Sequence, residues 1–340
     1  MDLAPEERGL PYRSFFTGRY EGTEYLRREN IRWIQGTSLL AAFDADNYNI
    51  FHWGTTILPG FAARIRELDR EATGTVRHEH LLRGCPGYDW AFLRFPKPTD
   101  WQWALAEVAL GQKRCTKYVL GKELDVRAKK GPLCFKDVIV PGATIGMVMG
   151  PSDAILLRKM IASQMKLPFS QERVTYFRRT HNRLILNEAD VLACLKRVTK
   201  LPVDVVEWTG DTPWREQWGQ MAKTVMLVSA HGSPTNHAIM MQSPGAVIEI
   251  LPDRFQYVVA PRITLAAGHF YYHYMARNRD TSRDNQRGVD DDPLQTTKGA
   301  FLSGVDEIEK YRDVDISVDI SEFERIVEQA RDMVLLRRKP

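Results

Sequence analysis

Apolar positions in the second half of the chain come as short continuous runs, ERVTYFRR, VDVVEW, TVMLVS and GAVIEIL, separated by stretches in which they recur with helical period. Short runs bounded by turn residues read as buried strands, and the intervening stretches as helices. The expected helices are NEADVLACLKRV, capped by Asn187 with Asp190 as its capping-box partner, and PWREQWGQMAK, opened by Pro213. A last helix has Ser321 and Glu324 as a capping box and one apolar stripe of Phe323, Ile326, Val327, Ala330 and Val334. Strand and helix alternate at the period of βαβ units, so the expected class is α/β with a parallel, doubly wound sheet. Such sheets bind ligands beyond the carboxyl ends of their strands.

The first half is less regular. Residues 1–35 read as an irregular lead-in, and QGTSLLAAFDADNYNIFHWGTTILPGFAARIREL as a strand, an acidic turn and a helix starting near Tyr48 to Phe51. Residues 62–150 alternate charged, helical stretches with short apolar ones such as KYVLG and KDVIVPG, which read as strands. A tract rich in breakers, AKKGPLCFKDVIVPGATIGMVMGP, closes an N-terminal domain, and a helix around Asp153 to Met165 leads out of it. The expected organisation is a first domain at 1–165 and a second at 166–275. A polar tract without apolar period, expected to be a mobile loop, follows at 276–305, and then a C-terminal extension and helix at 306–340.

Between TVMLVS and GAVIEIL stands His231-Gly232-Ser233-Pro234, followed by a polar-capped segment read as a helix. A helix that opens at the carboxyl edge of a parallel sheet presents unpaired backbone N–H groups and partial positive charge, which suits a phosphate. Ser233 can cap that helix through its hydroxyl, and Pro234 suits the first helical position, where its missing N–H would have been an orphan. Arg178, Arg179 and Arg183 end a strand of the same sheet, and guanidinium forks bind phosphate oxygens bidentately. The alternative for this cluster is a solvated basic turn with capping roles. Glu249 sits in the strand after the turn, either accepting hydrogen bonds from a ribose or held in a salt bridge. His231 and His237 flank the turn, as contacts to a phosphate or sugar hydroxyl or as anchors of the turn itself.

In the first half, His52 can serve as a general base with Asp44 or Asp46 nearby, or pack beside Trp53. His78, Glu79, His80 and Cys85 are zinc-ligand types without the spacing of a zinc site, and Asp290, Asp291 and Asp292 read as an acidic loop. No metal site is expected. DWQWALAEVAL reads as an amphipathic core helix.

Composition narrows the reading without redirecting it. A chain of 340 residues exceeds what one core usually organises. Lys and Arg number 47 against 43 Asp and Glu, a net charge of +4 that lacks the bias of a nucleic-acid binder. Cys85, Cys115, Cys134 and Cys194 show no CxxC spacing and allow disulfides without requiring them. No apolar run is long enough to span a membrane, and the start MDLAPEERGLPYRSFF lacks the pattern of a signal peptide. The expectation is a cytosolic protein, or one whose anchor lies upstream.

Three blocks in order, FHWGTTILPG, then YFRRTHNRLILNEADVLACL, then MAKTVMLVSAHGSPTNHAIMM with VIEI, resemble glycosyltransferase family 61, particularly fungal members. The resemblance covers roughly residues 46–275 and matches the family's histidine motif, arginine block and HG loop. It implies a GT-B-like fold with two Rossmann-like lobes and a cleft between them. It further implies inverting transfer from a nucleotide sugar, usually UDP-GlcNAc or UDP-xylose, to a glycan or glycoprotein, in the Golgi or endoplasmic reticulum lumen. Metal is not expected, nor any cofactor, the UDP-sugar being a substrate. By the same resemblance His52 is the catalytic candidate, and Arg178, Arg179, Arg183, His231, Gly232, Ser233, Asn236, His237 and Glu249 are the nucleotide-sugar-binding candidates. Two features depart from the family pattern: Pro234 and Thr235 follow Ser233 where Gly and Leu are usual, and Thr56 stands where many members carry an acid. These departures motivate a second reading, a catalytically degenerate member that binds a nucleotide sugar or a partner.

Overall fold

The structure is a computed structural model. It describes the backbone of strands at 32–42, 88–93, 116–120 and 133–139, and residues 151–276 and 313–337, most with side chains, except positions 210, 254 and 256–258. The chain divides into two units, Met1–Lys166 and Leu167–Pro340.

In the first unit, β1 (Arg32–Ala42), β2 (Tyr88–Leu93), β3 (Thr116–Leu120) and β4 (Leu133–Ile139) form a parallel sheet of order β3-β2-β1-β4. Successive strands are added on one side of β1 as far as β3 and then on its other side as β4, so the strand order reverses between β1 and β4, the kind of crevice where parallel sheets take ligands. β1 starts at Arg32, inside the stretch expected to be an irregular lead-in, because Arg32, Trp33 and Ile34 pair with Leu133, Cys134 and Phe135 of β4 ahead of a register shift between Ile34 and Thr37. β2 lies in YDWAFL, whose aromatic residues sit between charged and turn residues that obscure the strand period. Helix α1 (Pro151–Met165) buries Ala154, Leu157 and Ile161 on one face. His52, Thr56, the His78 to Cys85 group, the Trp-rich helix and the 276–305 tract lie outside the described residues apart from Ala276, which is buried.

The second unit is a five-stranded parallel sheet: β5 (Arg173–Phe177), β6 (Val203–Val206), β7 (Thr224–Ala230), β8 (Ala246–Leu251) and β9 (Phe270–Met275). Its order, β6-β5-β7-β8-β9, is that of a doubly wound fold, with the switch point between β5 and β7. Every residue of β7 and β8 is buried, as expected of central parallel strands covered on both faces. On one face, Val174, Tyr176, Met226, Val228, Ile248, Ile250 and Tyr274 pack against α2 (Glu188–Thr199) and α5 (Ile320–Arg337). The expected apolar stripe of α5 is what docks there: Phe323, Val327, Ala330 and Val334 are buried, and Ile326 packs at the margin. The opposite face meets α3 (Trp214–Met221), a 3₁₀ helix (Ser233–Met240) and α4 (Val259–Ala266), with Gln220 of α3 donating to Thr175 Oγ1 at 3.1 Å.

Two expected capping boxes are replaced by other arrangements. The Asn187 side chain makes no cap bond; its amide pairs with the backbone of Val318, Nδ2 donating to the carbonyl and Oδ1 accepting from the N–H, each at 2.9 Å. At α5 the cap is Asp319, whose Oδ1 accepts from the Ser321 N–H at 2.9 Å and the Glu322 N–H at 3.1 Å. A carboxylate one residue before the helix is a stronger acceptor than a hydroxyl inside it, and Glu324 is drawn away to Arg197 on α2. Cys134 on β4 and Cys194 in α2 are free thiols. Among the described residues no helix is long and apolar enough to cross a membrane.

Candidate functional site

The switch point places the carboxyl ends of β5 and β7 side by side, with Phe177 paired to Ser229. The chain leaves β5 through the arginine block and leaves β7 through the HG turn, so the fold brings both motifs to one edge. His231 continues the β7 direction, its N–H donating to the Ile250 carbonyl at 2.9 Å. Gly232 then takes φ 152° and ψ −170°, a region essentially restricted to glycine. The backbone angles are what require glycine here, and the Arg179 guanidinium lies close beside it, its Nη1 2.8 Å from where a Cβ on Gly232 would stand.

The three arginines divide. Arg178 turns to α2, its Nε donating to both carboxylate oxygens of Glu188 at 2.9 and 3.1 Å, an ion pair with the first residue of the helix and not a cap. Arg179 and Arg183 converge on the HG turn. Arg179 is oriented by Asn182, through its side-chain oxygen and its carbonyl, and burial holds the guanidinium pKa below its usual value. Arg183, only 9% exposed, donates from Nη1 to the His231 carbonyl at 2.8 Å and meets Asp313 at 3.5 Å through Nη2. Its backbone has φ 57°, the left-handed conformation that turns the loop back onto the strand edge.

Behind the turn lies a buried polar row on the face of the sheet that carries the 3₁₀ helix. Glu249 is fully buried; Tyr271 donates to its Oε2 at 2.5 Å, leaving Oε1 to accept from His231 Nδ1 at 2.6 Å. The His231 ring packs on Phe255 with centroids 4.6 Å apart. Burial, and then the charge of Glu249, push the Tyr271 phenol far above its usual range. Both Glu249 oxygens are thus engaged within the protein, so in this arrangement the carboxylate supports the histidine and offers no oxygen to a ribose. Of the two roles weighed for His231, the structure shows the anchoring one, through its backbone N–H on Ile250 and its ring on Glu249.

The segment after the turn is a 3₁₀ helix with Gly232 at the capping position and no side-chain cap. Ser233 is its first residue and not its cap, Pro234 follows, and Thr235 Oγ1 donates to the Gly232 carbonyl at 3.0 Å. His237 is buried: Gln217 uses its Nε2 on the Thr212 carbonyl at 2.8 Å, so its Oε1 accepts from His237 Nε2 at 2.8 Å. Burial lowers the His237 pKa to about 4, and the ring is a neutral anchor between α3 and the 3₁₀ helix. Trp208, half-buried beyond β6, lies between the Phe177 and His237 rings at 5.4 and 4.7 Å. Asn236 is 4% exposed, and neither its Nδ2 nor its Oδ1 has a hydrogen-bond partner.

Four participants escaped the reading of the sequence. Trp208 and Gln217 fix His237, Tyr271 fixes Glu249, and Asp313 fixes Arg183. Only Tyr271 left a signal, as an alternating position in an aromatic strand, FYYHYM, that faces the buried row.

Comparison with known proteins bears on the same edge. The family model described as Glycosyltransferase 61 matches residues 50–248, more than half of the chain, and takes in both the arginine block and the HG turn. The chain belongs to glycosyltransferase family 61. Within 97 residues it is 33% identical to protein O-linked-mannose beta-1,4-N-acetylglucosaminyltransferase 2 of Bos taurus, and 31% identical to the protein of that name from Canis lupus familiaris. The Homo sapiens protein is 29% identical over the same length. Each match covers 28% of this chain and 17% of the relative's length. The family 61 match stops at Ile248, short of Glu249, Tyr271 and Asp313, which complete the site.

Proposed function

We propose that the chain is an inverting glycosyltransferase that uses a UDP-sugar, with GlcNAc or xylose as the first sugars to test, and a hydroxyl of a glycan or glycoprotein as acceptor. The observation that carries this reading is the convergence of Arg179 and Arg183 on the HG turn, at the switch point of a parallel sheet. Two fixed guanidiniums and a helix start offset the charge of a leaving diphosphate, the work a metal ion does elsewhere. The family 61 relatives, named as N-acetylglucosaminyltransferases, support GlcNAc as the first donor to test. On this reading the protein is a two-lobed GT-B enzyme of the Golgi or endoplasmic reticulum lumen.

In the proposed step, His52 of the first unit takes the proton of the acceptor hydroxyl as its oxygen attacks the anomeric carbon. The bond from that carbon to the β-phosphate oxygen breaks on the opposite face, its electrons go to UDP, and the configuration inverts. Arg179, Arg183 and the turn receive the negative charge that develops on the diphosphate. A second reading, a family 61 member that binds without turnover, is favoured by Pro234, which removes one backbone N–H beside Gly232 where a phosphate would be held.

Calorimetric titration with UDP, with and without chelator, tests the site. Wild type binds regardless of chelator; Arg179→Ala and Arg183→Ala each lose roughly tenfold or more in affinity, the scale of a charged hydrogen bond. Arg178→Ala binds close to wild type, its partner being Glu188. A wild type that binds neither UDP nor UDP-sugars overturns the proposal, and binding without sugar transfer to any acceptor glycan leaves the second reading.

A further inference from the structure

Asn236 carries a complete carboxamide in the interior with neither its donor nor its acceptor matched. Buried polar groups are almost always paired, and an unmatched donor and acceptor on one side chain is a standing cost to the unliganded fold. Its position says what the cost serves. In a 3₁₀ helix side chains three apart eclipse, so Asn236 stands directly behind Ser233, the half-buried first residue of the helix. Helical side chains also lean toward the amino end, here the HG turn that Arg179 and Arg183 embrace. The neighbouring residues of the turn are already matched: Thr235 to the Gly232 carbonyl, His237 to Gln217.

We infer that Asn236 is a specificity-determining residue that reads a neighbouring pair of sugar hydroxyls on the ligand held at the turn, one accepting from Nδ2 and one donating to Oδ1. This rests on the nucleotide-sugar reading given above. A phosphate offers acceptors only and would set its charge against Oδ1, whereas hydroxyls supply both roles. Asn236 thus separates the sugar part of the ligand from the diphosphate part, which falls to the arginines. The hydroxyl pair can belong to the ribose or to the transferred sugar.

The test compares Asn236→Leu and Asn236→Ala with wild type, using thermal unfolding of the free protein and titration with UDP and UDP-GlcNAc. Leucine fills the same space without polar atoms, so the free Asn236→Leu protein unfolds about 2–4 °C higher than wild type while its affinity falls at least tenfold. A loss seen with UDP and UDP-GlcNAc alike assigns the ribose; a loss confined to UDP-GlcNAc assigns the transferred sugar. Asn236→Ala, which leaves a void and no rise in Tm, shows the same loss of affinity. Wild-type affinities in both variants overturn the inference, as does a lower Tm for Asn236→Leu, which marks an amide paired inside the fold. Wild type binding neither nucleotide overturns the donor-site reading itself, and this inference with it.

Discussion

His237 shows how a residue chosen as a ligand contact becomes a structural element with a measurable signature. Its pKa falls from 6.5 to about 4 because the ring is buried, and Gln217 holds its Nε2–H. The folded pKa lies below the unfolded one, so the unfolded chain binds the extra proton first and stability falls as pH falls. The contribution is fully present above pH 6.5 and is lost between about 6.5 and 4, on the order of 3 kcal/mol in all. Denaturant unfolding at a series of pH values should show wild type losing that increment relative to His237→Gln, which has no proton to gain. Equal slopes for the two proteins would sink this account. Residue identities alone left His231 and His237 equivalent. Burial separates them, because one lies over Glu249 at the strand edge and the other lies inside between α3 and the 3₁₀ helix.

At the scale of elements, the helix ends are the sharpest case. Asp319 stands immediately before α5, and hydrogen bonds from the Ser321 hydroxyl and then the Glu322 N–H hold its carboxyl below the usual range. Thermal unfolding of Asp319→Ala should therefore show a lower Tm than wild type, whereas Ser321→Ala should stay much closer to it; the reverse order would restore the Ser321 cap. The central strands were legible because β7 and β8 are buried on both faces and so read as unbroken apolar runs. Edge strand β9, with its tyrosines and histidine, and β2, with its mixed aromatics, carry no such run. Helix caps were misread for a different reason: Ser, Asn and Asp side chains all suit a helix start, and tertiary partners such as Val318 and Arg197 decide which one serves. The candidate site was legible where backbone chemistry dictates residue type, as at Gly232, and illegible where a distant side chain completes it, as at Asp313.

Across the second unit as a whole, the arginine loop is held by chain that follows it much later in sequence. Residues 313–318 run alongside 182–187: Asn182 donates to Asp313 at 3.0 Å, the Leu184 N–H to Asp315 at 3.0 Å, and Ile185 and Ile316 form a parallel bridge. The Asn187 amide closes the same seam on Val318. The family 61 match ends at Ile248, so the motif that defines the site and the strand of chain that shapes it lie in different parts of the sequence. Asp319 and α5 continue directly from that seam, tying the arginine loop to the apolar core through Phe323 and Val327. A joint of this kind can be assembled from separate molecules. A protein ending before Asp313 and a synthetic peptide of residues 313–337 should recombine, and nucleotide should tighten their association by the same factor by which the peptide tightens nucleotide binding.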